Sequence, residues 1–314
     1  MFDQATTLRR IMEEARQTGS GGASTKQFYP QFPAQQVKST RAPRVMTVTG
    51  GKGGVGKTLT TANLGLCFVR EGMRTLLIDG DFGLANLDVL LNVHADSTLE
   101  DVLTGERELK DVIIQGPEGI RLIPASSGMP KVSELNQMQK LVLLDQIESI
   151  QDDFDVVLID TPAGVSKNVQ YWAGSASEII LVATPEPTSL ADAYATMKVL
   201  VQTNNDYVFR LVVNMARSED EALRVFERLN SVANEYLQAR LEFAGHIPMC
   251  ESVRQSVRER SAYTQKYPFS PASRGVRNIA RELLYHGSQP QPKGTMQFFW
   301  KRLVAGNSSE NFIR

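Results

Sequence analysis

The chain has 314 residues, 42% hydrophobic and 22% charged, enough apolar material for a sizeable buried core. Its 34 Lys and Arg balance 35 Asp and Glu, a formal net charge of -1, which argues against a body that binds nucleic acid through wholesale positive charge. Cys67 and Cys250 stand alone and His94, His246 and His286 lack ligand spacing, so neither a disulfide scaffold nor a thiolate metal centre is expected. No run approaches the roughly 18 apolar residues of a membrane span, and the first residues lack the apolar region of a signal peptide. A reduced, cytoplasmic protein is expected.

In chain order, residues 3–16 predict a short helix that Asp3 caps, with Ala5, Leu8, Ile11, Met12 and Ala15 roughly on one face. So short a helix is marginal in water and calls for a partner surface. A Gly-, Ser-, Gln- and Pro-rich linker follows over 18–43. From residue 44 strand and helix alternate: strands are expected at 45–49, 75–78, 154–159, 178–183, 208–213 and 243–247. Helices are expected at 57–71, 133–150, 189–202 and 218–237, the last opened by a Ser218–Glu221 capping box. Near-continuous apolar strands separated by helices imply an α/β fold: a doubly wound, mostly parallel sheet with helices on both faces. The expected divisions are an activator helix over 1–17, the linker, a body over 44–286, a second linker over 287–294, an amphipathic helix over 295–305 and a tail over 306–314.

Between the first strand and first helix stands Gly51-Lys52-Gly53-Gly54-Val55-Gly56-Lys57-Thr58, which fits G-x-x-x-x-G-K-[ST] in the strand–loop–helix context the motif requires; Leu59 continues the binding segment. Glycines let backbone N–H groups turn inward around phosphates, and the helix start adds the positive end of its dipole. Lys57 neutralises the β and γ phosphates in such a loop, and the Thr58 hydroxyl sits on Mg²⁺. Asp79, Asp81 and Asp160 lie at the ends of strands, where carboxylates point into the ligand crevice of open α/β sheets. Phosphoryl transfer asks for positioning and charge stabilisation, and no nucleophilic constellation is suggested.

The sequence GKGGVGKT, with its lysine straight after the first glycine, resembles the deviant Walker A loop of the MinD/ParA ATPases. That resemblance implies ATP and ADP with Mg²⁺ as ligands, and a nucleotide-sandwich homodimer in which Lys52 reaches the partner's phosphates. It implies that Asp81 positions or activates the attacking water, and that Asp79 and Asp160 hold Mg²⁺ through its waters. For an adenine base it points to Asn214 and to Pro248; Arg217 either stacks on the base or is a solvated loop arginine.

Near the C-terminus, Met296, Phe299, Trp300, Leu303 and Val304 share one face of a helical wheel, with Gln297, Lys301 and Arg302 opposite. Aromatics beside basic residues after a linker read as an interfacial helix for anionic membrane lipids; the alternative is a helix docked on its own body. At the other end, Asp3-Gln4-Ala5-Thr6-Thr7-Leu8-Arg9 matches the DQAxxLR element of the FlhG/FleN group of MinD-like proteins. The resemblance then spans almost the whole chain. It implies control of flagellar number and placement, and Gln4 as the residue that stimulates the GTPase FlhF. It also implies contacts with flagellar switch-complex proteins and with a flagellar transcription activator. The location implied is cytoplasmic and peripheral on the inner face of the membrane, at a cell pole. Two rivals share the body. A septum-site MinD lacks the first 43 residues, and a ParA-type DNA-segregation ATPase would need Arg254, Arg258, Arg260, Arg274, Arg277 and Arg281 as phosphate-contacting stripes. DNA binding is not favoured, and a nitrogenase-type iron protein lacks its cluster cysteines.

Overall fold

The computed structural model describes residues 43–286 apart from 82–85, 98–100, 103, 125–141, 143–145, 147–148, 167–168, 171, 174–175, 177 and 204–206. Both linkers, the helix expected around Gln4, and the tail helix with Met296, Phe299, Trp300, Lys301 and Leu303 lie outside the described residues, as does most of the helix expected over 133–150.

The described elements are β1 (Arg44–Thr49), α1 (Lys57–Arg70), β2 (Thr75–Asp79), α2 (Leu87–Leu91), α3 (Leu109–Val112), β3 (Ile114–Gln115), β4 (Arg121–Ile123), β5 (Val156–Asp160), β6 (Glu178–Ala183), α4 (Pro187–Thr203), β7 (Val208–Ala216), α5 (Glu219–Leu237), β8 (Arg240–Pro248), α6 (Glu251–Arg258), α7 (Tyr263–Lys266) and α8 (Pro271–Arg281). The strands form one sheet in the order β3-β4-β2-β5-β1-β6-β7-β8. Every pairing is parallel except that of β3 with β4 at the edge. The doubly wound sheet expected from the sequence is the one found. The β3–β4 edge was not expected, because strands of two and three residues are too short to show a periodicity.

Strand alternation sorts the core onto two faces. Met46, Val48, Leu77, Leu158, Ile180, Val182 and Val212 pack on one side with α1 and α8 residues such as Leu64, Phe68 and Ile279. Their neighbours Val45, Leu76, Ile78, Val157 and Ile159 point to the other side, around Trp172, while Ile179, Leu181, Leu211 and Val213 meet α4 and α5. Each such side chain contributes about 1.5–3 kcal/mol by leaving water, which is why both faces are covered by helices. At the N-terminal ends of the strands, buried Glu178 bridges Arg44 (2.6 Å) and Arg210 (3.3 Å), and Arg210 also pairs with Glu242.

The capping box forms in altered shape. Ser218 Oγ accepts the Glu221 N–H at 3.2 Å, while the Glu221 carboxylate reaches one residue beyond the cap, to the Arg217 N–H at 2.6 Å. β7 runs longer than expected at its C-terminal end and β8 chiefly at its N-terminal end, and two register shifts carry the pairing to Ala216 opposite Pro248. A bulged ladder breaks the period-two pattern by which strand ends are read.

Candidate nucleotide site

The chain leaves β1 toward β2 in one half of the sheet and leaves the adjacent β6 toward β7 in the other, and a crevice opens at the C-terminal strand ends between them. Into that crevice come the loop after β1, Asp79 from β2, Asp160 from β5 and Asn214 from β7; Asp79 and Asp160 are direct partners in the β2–β5 register.

The loop is built for an anion. Gly54 and Gly56 have φ of 82° and 91°, the left-handed region that a side chain strains to adopt, and a Cβ on Gly53 or Gly54 would meet nothing within 4 Å. The 14-residue α1 starts with no side-chain cap and no acidic residue in its first turn, leaving its N-terminal amides to a ligand. Other glycines let the scaffold close around the loop: a Cβ on Gly51 would lie 2.2 Å from the Asp192 carbonyl oxygen, and one on Gly56 would lie 2.3 Å from Asn214 Nδ2. Gly164, in the loop after β5, donates its N–H to Gly50 O at 3.3 Å.

Lys57 is buried and its Nζ donates to Lys52 O at 3.3 Å across the loop. Burial holds its pKa below the usual lysine value, opposed by the negative charges of Asp160 and Asp81, so both carboxylates lie within electrostatic reach of the ammonium. Burial also pushes the Asp160 carboxyl up to about 7; bonds from Thr58 and Thr61 oppose the shift and Asp79 adds to it. Thr61 Oγ1 donates to Asp160 Oδ1 at 3.1 Å. Thr58 and Asp160 thus form an oxygen pair beside the phosphate loop, the donor chemistry that suits Mg²⁺.

Asp79 accepts three backbone N–H groups. Its Oδ1 accepts the Asp81 N–H at 3.1 Å, and its Oδ2 accepts those of Asn86 and Leu87 at 3.1 and 3.2 Å. Burial raises its pKa while those three bonds oppose the shift. The carboxylate therefore clasps the segment that carries Asp81 to the start of α2. Leu59, expected in the binding segment, packs its half-buried side chain against the core.

Asn214 is buried, with Nδ2 donating to Val55 O at 2.8 Å and Oδ1 accepting the Met215 N–H at 2.9 Å. It joins the phosphate loop to the end of β7, a link that sequence spacing could not show. Pro248 pairs with Ala216, and Met249 donates its N–H to Ala216 O at 3.0 Å, which places exposed Arg217 and half-buried Pro248 on adjoining strand ends. Lys52 turns away from its own loop to Glu186 Oε2 (3.2 Å) and Thr188 Oγ1 (3.4 Å), both exposed contacts at the start of α4.

A family model described as "AAA domain" matches residues 43–209. The "Antiactivator FleN" of Pseudomonas aeruginosa is 40% identical over 270 residues, covering 86% of this chain and 96% of that protein. The chain belongs to the MinD/ParA family of P-loop ATPases, in its FleN/FlhG group. The "Flagellum site-determining protein YlxH" of Helicobacter pylori is 31% identical over 83% of this chain and 90% of its own length. Among solved structures, MinD of Pyrococcus horikoshii complexed with Mg-ADP aligns with a TM-score of 0.61 at 26% identity, covering 77% of this chain and 96% of that one. MinD of the Aquifex aeolicus MinC:MinD complex gives 0.62 at 26%, covering 79% and 98%. As a MinD/ParA ATPase the protein binds nucleotide and hydrolyses ATP. No described helix is long and apolar enough to cross a membrane.

The arginines that the DNA-binding alternative would need are partly engaged within the fold. Arg281 pairs with Glu71 at 2.7 Å and Arg254 with Glu251 at 3.7 Å, while Arg274 and Arg277 donate to the carbonyls of Phe269 and Pro268.

Proposed function

We propose that this ATPase controls flagellar number and placement by alternating between a monomer and an ATP-bound dimer attached to the membrane. The observation that carries the reading is the match to FleN over 96% of that protein's length, supported by the match to YlxH. Within the site, the loop amides and Lys57 hold the triphosphate, and Thr58 with Asp160 hold Mg²⁺, which neutralises charge on the phosphates when bound. The match to MinD with Mg-ADP supports that ligand pair. Asp81, on the segment clasped by Asp79, orients the attacking water. The Lys52 side chain, turned toward Glu186 and away from its own loop, serves the phosphates of a second copy in the dimer. Asn214, Arg217 and Pro248 surround an adenine.

The amphipathic segment 295–305 brings the dimer to anionic lipid, two copies binding far more tightly than one through effective concentration. At the other end Gln4 stimulates FlhF, the chemistry a water-orienting glutamine performs in other GTPases. Contacts with flagellar switch-complex proteins and antagonism of a flagellar transcription activator complete the reading, with the protein peripheral on the cytoplasmic face at a cell pole. The test is co-sedimentation with anionic liposomes in ATP and in ADP, for the full chain and for one ending at residue 293. ATP-dependent pelleting that truncation abolishes is expected. Pelleting in neither nucleotide would overturn the membrane switch.

A further inference from the structure

Between Asp79 and Asp81 stands Gly80, buried and held from both sides. Its N–H donates to Asp160 O at 2.8 Å, and its carbonyl accepts from Trp172 Nε1 at 3.3 Å. A Cβ at this position would lie 2.6 Å from Asp160 O and 2.9 Å from Trp172 Nε1, so a side chain has no room. The Gly80 carbonyl and the Asp81 N–H belong to one rigid peptide group. Trp172 holds the carbonyl end, and Asp79 Oδ1 holds the N–H end at 3.1 Å. That plane cannot rotate without breaking both bonds, and its orientation sets the direction in which the Asp81 side chain leaves the backbone.

Trp172 is itself fixed. The residue is 1% exposed, its ring packs in the cluster with Ile78 and Ile159, and its own carbonyl accepts from Thr47 Oγ1 of β1 at 3.2 Å. A buried indole N–H needs an acceptor, and this one finds a backbone carbonyl of the catalytic segment. It thereby joins the segment after β5 to the segment after β2 that carries Asp81.

We infer that Trp172 is a positioning residue for hydrolysis, its indole N–H fixing the Gly80–Asp81 peptide so that the Asp81 carboxylate meets the attacking water. The inference rests on the reading of Asp81 given above. It assigns no contact between Trp172 and nucleotide, so the expected signature is a loss in kcat without a change in KM.

The chain has two tryptophans, so a full-length W300F parent leaves Trp172 alone. Replacing that tryptophan by β-(3-benzothienyl)alanine puts sulfur in place of the N–H and keeps the ring shape; W172F is the second variant. ATP turnover and KM are measured for the parent, both variants, D81N, and the isostere combined with D81N, alongside thermal midpoints. The isostere is expected to lose about fivefold to tenfold in kcat with KM unchanged, as befits one lost hydrogen bond to a buried acceptor. Added to D81N it is expected to cost nothing further, because the positioned group is already gone. Parent-like kcat in the isostere would overturn the inference, as would an equal loss on top of D81N. Parent-like turnover in D81N is a distinct result: it would remove the role of Asp81 first, and the role of Trp172 with it.

Discussion

Asn214→Ala offers the sharpest test of how the site is organised. Truncation removes the Nδ2 bond to Val55 O at 2.8 Å and the Oδ1 bond from the Met215 N–H at 2.9 Å. Each neutral bond contributes about 1 kcal/mol, and a carbonyl left without its donor adds roughly another 1–3 kcal/mol. The Met215 backbone, at a φ of 59° and therefore in the left-handed region, also loses the bond that steadies it. If about half of a total of roughly 3–5 kcal/mol falls on the phosphate loop, nucleotide affinity weakens by about tenfold or more. The remainder lowers the melting temperature of the nucleotide-free protein. Titration calorimetry with ATP and Mg²⁺ reads the first part, and a melting curve reads the second. Asn214→Asp keeps the acceptor for Met215 but cannot donate to Val55 when ionised, so it isolates the loop bond. Affinities within about twofold of the parent in both variants would refute the idea that Asn214 braces the loop, since loss of that bond alone should exceed that factor.

Further outcomes follow from the same geometry. Lys57→Ala should abolish ATP binding and liposome attachment together, read by calorimetry and co-sedimentation; retained attachment would separate the membrane step from nucleotide. Asp81→Ala should accumulate an ATP-bound dimer by light scattering, and a monomer in excess ATP would sink the role given to Asp81. Gln4→Ala should leave ATP turnover intact while weakening stimulation of FlhF, measured as GTP hydrolysis. Arg74 donates to both oxygens of Asp155, which holds that carboxyl below its usual pKa. The folded chain therefore carries fewer protons than the unfolded one near pH 4, and the stabilisation is present above the ordinary carboxylate pKa and lost as pH falls through the depressed one. Asp155→Asn should cost about 1 kcal/mol at pH 7, the pair being half-buried at the surface, and progressively less in acid; a loss independent of pH, by chemical denaturation, would contradict this account.

The sequence by itself determined the central strands, the phosphate loop and the first helix. Each depends on local chemistry: continuous apolar runs for strands buried on both faces, and glycines where the backbone must take a positive φ. The three aspartates were legible for the same reason, since a strand followed by an acid is a local pattern. What the acids do was not legible. That Asp160 pairs with Thr58 and Thr61 while Asp79 spends its oxygens on backbone N–H groups depends on β2 lying beside β5, an adjacency of residues 81 positions apart. The bracing of Val55 by Asn214, the grip of Trp172 on Gly80 and the turn of Lys52 toward Glu186 are decided the same way. Each joins groups 92 to 159 residues apart or, for Lys52, across 134. Sequence pattern encodes which side chains are buried and which can bind phosphate, because those properties belong to one residue and its neighbours. Which donor meets which acceptor is set only when the sheet closes its strand order and brings distant loops to one edge.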